Sequence, residues 1–294
     1  MRRTWIVWIE TAAVVALVFG AYGMANAQSG QSGQSGQTGQ AQQPAQSQDK
    51  SKTPEAAPLT LDAAPPVNAE EDAAFKAFQA TPLTDQAKRI ELGEAFIQKY
   101  PQSRYLPTIY GSLTIAYMQA NQIPKMLEIG DKAVALTPND VTTLAILSQT
   151  ISRVTNSNTP NAAQQLQKAE TYSKKAIEIV PTLPKPPNLT DEAFAAAKNQ
   201  ALVAAHSGLG LVYVKRGKNE EAIPELEASI KLDNAPDPVN YYLLGIANKS
   251  TSHFEDAIAA FNKCAEIAGS MQPTCKAQAE DTKKKSATEL SAPK

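Results

Sequence analysis

The C-terminal half of the chain repeats itself, and a repeat of this period constrains a fold more tightly than composition does. From His206 the sequence reads HSGLGLVYVKRGKNEEAIPELEASIKL, and from Asn240 it reads NYYLLGIANKSTSHFEDAIAAFNKCAEI. A shift of 35 residues lays Gly210 on Gly245, Ala222-Ile223 on Ala257-Ile258 and Leu226 on Phe261. Within each copy the apolar residues recur at helical spacing and strand-like alternation is absent. Pro or Gly stands where helices must stop. Each copy is therefore expected to be helical, with breaks where such a Pro or Gly stands.

These residues resemble the tetratricopeptide repeat family. Leu209-Gly210 and Tyr213 take the first-helix signature positions, and Ala222, Leu226 and Ser229 those of the second. Tyr241, Leu244-Gly245, Ala257, Phe261 and Cys264 do so in the next copy, with Asn248 where an aromatic residue is usual. Pro107 to Pro138 fits the same frame through Tyr110, Leu113, Tyr117 and Ala133, departing at Thr114, Met126 and Gly130. Val141 to Pro181 fits through Leu144, Leu147, Ala169 and Ala176, if Val154 to Asn161 forms a lengthened turn. Glu70 to Pro101 reads as a degenerate hairpin with Arg89 and Phe96 at small-residue positions. The resemblance implies an all-α, right-handed superhelix, an α-solenoid of helical hairpins. Its repeat domain is expected over 69–275, with units at 69–101, 107–138, 141–181, 203–237 and 238–271, then a polar capping helix and tail over 276–294.

Ahead of the repeats the composition changes twice. Met1 to Ala27 has the parts of a secretory signal: Arg2 and Arg3, the apolar run Thr11 to Tyr22, and the small-x-small site Ala25-Asn26-Ala27. Cleavage before Gln28 is expected, giving an exported protein, periplasmic or secreted. The alternative is an uncleaved N-terminal anchor facing the periplasm, since Trp5 to Ile9 extends the apolar run, although Glu10 interrupts it. Only that alternative would give the protein a membrane contact. The segment 28–68 is Gln/Ser/Gly-rich and then Pro/Ala-rich, so it cannot bury enough apolar area to offset its ordering entropy. It is expected to be a disordered linker with a reach of roughly 35 Å. Pro181 to Pro187 is expected to be a stiff interruption, followed by a long helix capped by Thr190.

Chemistry is sparse. The formal net charge is -1, which gives no bulk signature for nucleic acid. There are two histidines and two cysteines, and no P-loop, dinucleotide fingerprint, G-x-S-x-G or zinc-ligand spacing. No catalytic residue, metal or cofactor is expected, and His206 and His253 read as structural. Acid pairs such as Glu220-Glu221 and Glu255-Asp256 open second helices, where they suit the dipole. In an exported chain Cys264 and Cys275, at similar distances from the turn at Gly269, are expected to pair; a disulfide closing a loop of this length contributes ~3 kcal/mol. Two buried thiols are the alternative.

The resemblance implies a non-catalytic scaffold or adaptor that binds proteins or peptides in a concave groove lined by first helices. Its register places Gln119, Gln149, Arg153, Ser207, Lys215, Tyr242 and Lys249 in that groove. Arg153, Lys215 and Lys249 would form a basic stripe for an acidic or C-terminal peptide. An adaptor of the bacterial cell envelope is the expected role, and an enzyme or accessory domain of envelope polymer metabolism, peptidoglycan for instance, is the alternative. Oligomeric state is open.

Overall fold

The computed structural model describes residues 68–291. The expected signal segment, the linker up to residue 67 and the last residues of the tail lie outside the described residues. Among those described, eleven α-helices and one 3-10 turn carry the structure and no strand occurs.

The helices come in antiparallel pairs. They are α1 (Ala69–Ala80) with α2 (Gln86–Lys99), α3 (Leu106–Gln119) with α4 (Ile123–Leu136), and α5 (Val141–Val154) with α6 (Ala162–Ile179). Then follow α7 (Asp191–Lys215) with α8 (Asn219–Leu232), α9 (Pro238–Ser250) with α10 (Phe254–Glu266), and a last helix, α11 (Gln272–Ser291). Many starts are set by side chains that satisfy orphan N–H groups. Asn68 accepts from Glu70 and Glu71, Asp85 from Lys88, Asp140 from Thr142, Thr190 from Ala193 and Asp237 from Val239. Pro107 and Pro124 lie in first turns, where a missing N–H costs nothing.

Three of the hairpin turns are one motif used three times. The N–H of Gln122 donates to Tyr117 O at 2.9 Å, that of Lys218 to Tyr213 O at 2.9 Å, and that of His253 to Asn248 O at 2.8 Å. One residue before each donor the chain turns left-handed, at Asn121 (φ 57°), Gly217 (φ 70°) and Ser252 (φ 63°). This is the Schellman closure, which satisfies carbonyls that the helix end leaves open. Asn248, where the frame expects an aromatic, keeps the motif by its backbone and donates its amide to Leu244 O at 3.1 Å. The α5–α6 turn is different: residues 155–161 form a longer loop in which Thr159 Oγ1 accepts from the N–H of Asn156 at 2.9 Å.

Close packing is set by glycines on two different seams. A Cβ on Gly210 would lie 2.6 Å from Leu226 Cγ, and one on Gly245 2.5 Å from the Phe261 ring, so α7/α8 and α9/α10 are each drawn together within a hairpin. A Cβ on Gly93 would lie 2.7 Å from Leu113, and one on Gly130 2.6 Å from Leu147. There the contact runs from a second helix to the first helix of the next pair. Gly130, a departure from the family frame, is thus the small residue of a between-hairpin seam. In the first hairpin Gly93, rather than Arg89 or Phe96, is the residue of close approach. Arg89 is buried, with its guanidinium 4.7 Å from the Phe78 ring centroid and donating to Thr81 O at 2.7 Å.

The core continues from pair to pair. Phe96, Leu113, Tyr117, Met126, Leu147, Ile151 and Val212 belong to one buried cluster that runs from α2 to α7. The long α7 begins well before its partner α8. Its early alanines, Ala197 and Ala201, are buried against Val141 and Val180, and Leu183 and Leu189 of the Pro-rich connection pack on the same cluster. That connection contains the 3-10 turn Val180–Thr182, and Lys198 donates to Pro181 O at 3.0 Å. The Pro-rich stretch therefore binds the start of α7 to the α5/α6 pair.

Candidate functional site

The first helices of successive pairs, α3, α5, α7 and α9, carry all the residues that the register places in a groove. Gln119 is half-buried at the end of α3 and Gln149 half-buried on α5. The backbone of Gln149 is a contact surface, because a Cβ on Gly208 of α7 would lie 3.2 Å from Gln149 Cα. Tyr242 is half-buried and packs on Phe261, with ring centroids 5.9 Å apart.

Ser207 does not line a groove. It is 3% exposed and donates to Asn240 Oδ1 at 2.7 Å; Asn240 Nδ2 donates to Ser229 Oγ at 3.1 Å, and Ser229 Oγ to Val203 O at 3.1 Å. This buried chain of hydroxyls and amide ties α7, α8 and α9, and a helical register alone does not reveal it. Asn240 was missed by sequence reasoning. The only signal for it was a polar residue one turn before the apolar Leu243.

The three cations of the expected basic stripe each bond to other elements of the chain, Arg153 and Lys249 half-buried and Lys215 exposed. Arg153 at the end of α5 donates to Asp237 Oδ2 at 3.0 Å, the residue that caps α9. Lys215 at the end of α7 donates to the carbonyls of Ser152 and Thr155, at 2.7 and 2.5 Å, where α5 ends. A cation there is favoured by the helix dipole. Desolvation nevertheless holds the Lys215 amine below its usual range. Lys249 at the end of α9 donates to Asp281 and Gln278 of α11, at 2.5 and 3.1 Å. Each cation thus links its own helix to another first helix or to α11.

Several further titratable residues have structural partners. His206 Nδ1 lies 2.6 Å from Glu225 Oε2, joining α7 to α8, and His253 Nδ1 lies 3.2 Å from Thr251 Oγ1 in the turn before α10. Buried Glu170 takes ion pairs from Lys174 and Arg216, linking α6 to the end of α7. Tyr117, whose hydroxyl donates to Glu94, has its pKa pushed far up by burial and by that carboxylate. Asp140 accepts from Thr143 Oγ1 at 2.5 Å and from the N–H of Thr142 at 3.2 Å, and desolvation raises its pKa above the ordinary value. Cys264 and Cys275 form a disulfide with their Cα atoms 5.8 Å apart. Among the described residues no group of three or more His, Cys, Asp or Glu could hold a metal ion, and no helix is long and apolar enough to cross a membrane.

Residues 203–236 and 239–270 match the family model described as tetratricopeptide repeat. These are α7 to α10, the pairs joined at Gly210–Leu226 and Gly245–Phe261. Residues 203–270 therefore carry two tetratricopeptide-type repeats, set within an all-α array of paired helices. A search of curated proteins finds no match. Among solved structures, the chain is similar to a thermophilic TPR protein, TTC0263 of Thermus thermophilus, with 19% identity over 72% of this chain and 98% of that one and a TM-score of 0.43. It is also similar to a MamA RS-1 double mutant, with 14% identity over 68% and 94% of the two chains and a TM-score of 0.48. A third is a tetratricopeptide repeat protein of Parabacteroides merdae, with 14% identity over 73% and 99% and a TM-score of 0.30.

Proposed function

We propose that the protein holds a partner protein or peptide along the first helices of its N-terminal hairpins, chiefly α3 and α5. The observation that carries this reading is the engagement of Arg153, Lys215 and Lys249 within the fold. With those cations occupied, the groove register offers Gln119 and Gln149, and α3 adds the half-buried Ile115 and Met118 at the margin of the core. Such a face suits a segment with apolar side chains and free backbone hydrogen-bonding groups better than an acidic one. Aliphatic and thioether side chains take up apolar groups, and the two amides can bond a peptide backbone in either polarity.

Export to the cell envelope is part of the proposal and is supported by the sequence of Met1 to Ala27. Sequencing the N-terminus of the protein isolated from its own cells tests it: Gln28 is expected, and Met1 would end it.

The binding reading is tested by in-cell crosslinking and mass spectrometry on the tagged full chain beside a Gln119→Arg/Gln149→Arg variant. A partner crosslinked to α3 or α5 and lost in the variant, with helicity unchanged, is expected. Crosslinks confined to other helices, or none above background, would remove the reading.

A further inference from the structure

Among the described side chains of the last helix, the buried ones are small. On α11 the buried side chains are Cys275, Ala279 and Thr282, spaced as one face of a helix, with Ser286 half-buried beyond them. Lys276, Glu280, Asp281, Lys283, Lys284 and Lys285 are exposed. Opposite this strip of small groups stand large ones: Ala279 packs with Phe261, Tyr242 and Ile246, and the cystine with Tyr241, Tyr242 and Met271. Polar ties include Gln272 Nε2 to Ala265 O at 2.9 Å, Lys249 to Asp281 and Gln278, and the exposed Lys285 ammonium 5.3 Å from the Phe254 ring centroid. The Asp281 side chain is 64% exposed, so that ion pair is screened and contributes little. The covalent bond between Cys264 and Cys275 is a tie between α10 and α11 that solvent does not screen.

We propose that oxidation of Cys264 and Cys275 is the step that closes the C-terminal end of the repeat. With both thiols free the chain folds through α10 and leaves α11 detached, so Tyr242, Ile246 and Phe261 form a bare end face. Closure needs a disulfide-bearing oxidant, either a small-molecule disulfide or an oxidised dithiol. One cysteine thiolate attacks a sulfur of the oxidant, expels the first thiolate and forms a mixed disulfide. The other cysteine attacks the protein-bound sulfur of that mixed disulfide and expels the second thiolate. The two cysteines give up two electrons and two protons, and the oxidant leaves as two thiols. Once made, both sulfur-bearing residues are 0% exposed, so no external thiol reaches the bond while α11 sits in place. The cap therefore records the redox conditions under which the chain folded, and later exposure to a reductant acts only through undocking of α11.

The test is hydrogen exchange on the full chain, comparing disulfide-bonded protein with protein refolded from denaturant in dithiothreitol. Amides of α11 are expected to exchange about a hundredfold faster in the reduced protein, the factor set by removing a crosslink across a loop of this length. The amides of α7 to α9 are expected to keep their protection. A Cys264→Ala/Cys275→Ala variant should behave as the reduced protein does. Alkylation of reduced wild type with iodoacetamide gives a reading free of substitution, with Cys275 expected to react at the rate of an exposed peptide thiol. Equal protection of α11 in both forms, or two shielded thiols after reduction, would overturn the proposal. So would loss of protection spreading through α7 to α9, because the bond would then hold the repeat itself and not its cap.

Discussion

Gly210 and Leu226 occupy space that a single added carbon would contest, since a Cβ on Gly210 would lie 2.6 Å from Cγ and 2.7 Å from a methyl carbon of a side chain that is 0% exposed. Overpacking a core costs about 1–3 kcal/mol, while exchanging a helical glycine for alanine returns up to ~1 kcal/mol. Gly210→Ala is expected to lower stability by about 1–2 kcal/mol in denaturant titration. At Gly111 of α3 the nearest atom to an added Cβ is Asp140 Oδ2 at 3.6 Å, an ordinary contact, and Gly111→Ala is expected to raise stability. In the double variant Gly210→Ala/Leu226→Ala the two costs should sum to more than is observed, because the second change removes the obstacle that the first one meets.

Asn240 is the hinge of the buried polar chain, accepting from Ser207 and donating to Ser229. Its truncation to alanine strands one donor in the core and empties part of a packed site. A loss of about 2–4 kcal/mol is expected by chemical denaturation. Replacement of solvent-exposed Asn262 by alanine should leave stability within about 0.5 kcal/mol.

Lys215 closes the end of α5 from another helix. Lys215→Met is expected to cost ~1 kcal/mol, and Lys215→Glu more, because a carboxylate would face two carbonyl oxygens and the negative end of the helix. The gap between these two variants should narrow as salt is raised, when their melting temperatures are compared at low and high ionic strength. A partner-binding lysine at the surface would instead leave both melting temperatures near that of the wild type.

Asp140 gives the protein a pH response opposite to that of a salt-bridged acid. Desolvation raises its folded-state pKa above its ordinary 3.8, so the folded chain holds that proton more tightly than the unfolded chain does. The stability contributed is full below the ordinary value and is lost as pH rises through the folded value. Asn is an equally good helix cap and carries no charge. The stability of Asp140→Asn relative to wild type is therefore expected to increase as pH rises from the ordinary value through the folded one. A difference that falls with rising pH would contradict this.

Much of the architecture was readable because repetition reports geometry twice. Gly210 and Gly245 both mark a narrow point, and the residues they face, Leu226 and Phe261, sit at the same offset. The cap Thr190 was readable for a local reason, since an oxygen three residues ahead of an N–H meets it whenever a helix begins there. The groove was not readable in this way. Helical register says which side of α7 carries Ser207 and Lys215, but their surroundings are supplied by α9 and by the end of α5. Whether a side chain meets solvent or a neighbouring helix depends on how the pairs are set against one another, and no single pair encodes that. Gly130 was legible only as a departure from the family frame because its partner, Leu147, belongs to the following hairpin.

The change of seam between the two halves has a consequence for how such a chain can grow. A hairpin copied from the C-terminal half carries its own narrow point, so its two helices would keep their close approach wherever the copy was added. Spliced between α4 and α5, the same unit would offer its first helix to Gly130, whose place opposite Leu147 was cut to fit one side chain. Lengthening by duplication is open at one part of this molecule and closed at the other, so variation in repeat number among chains built this way should gather downstream of α7.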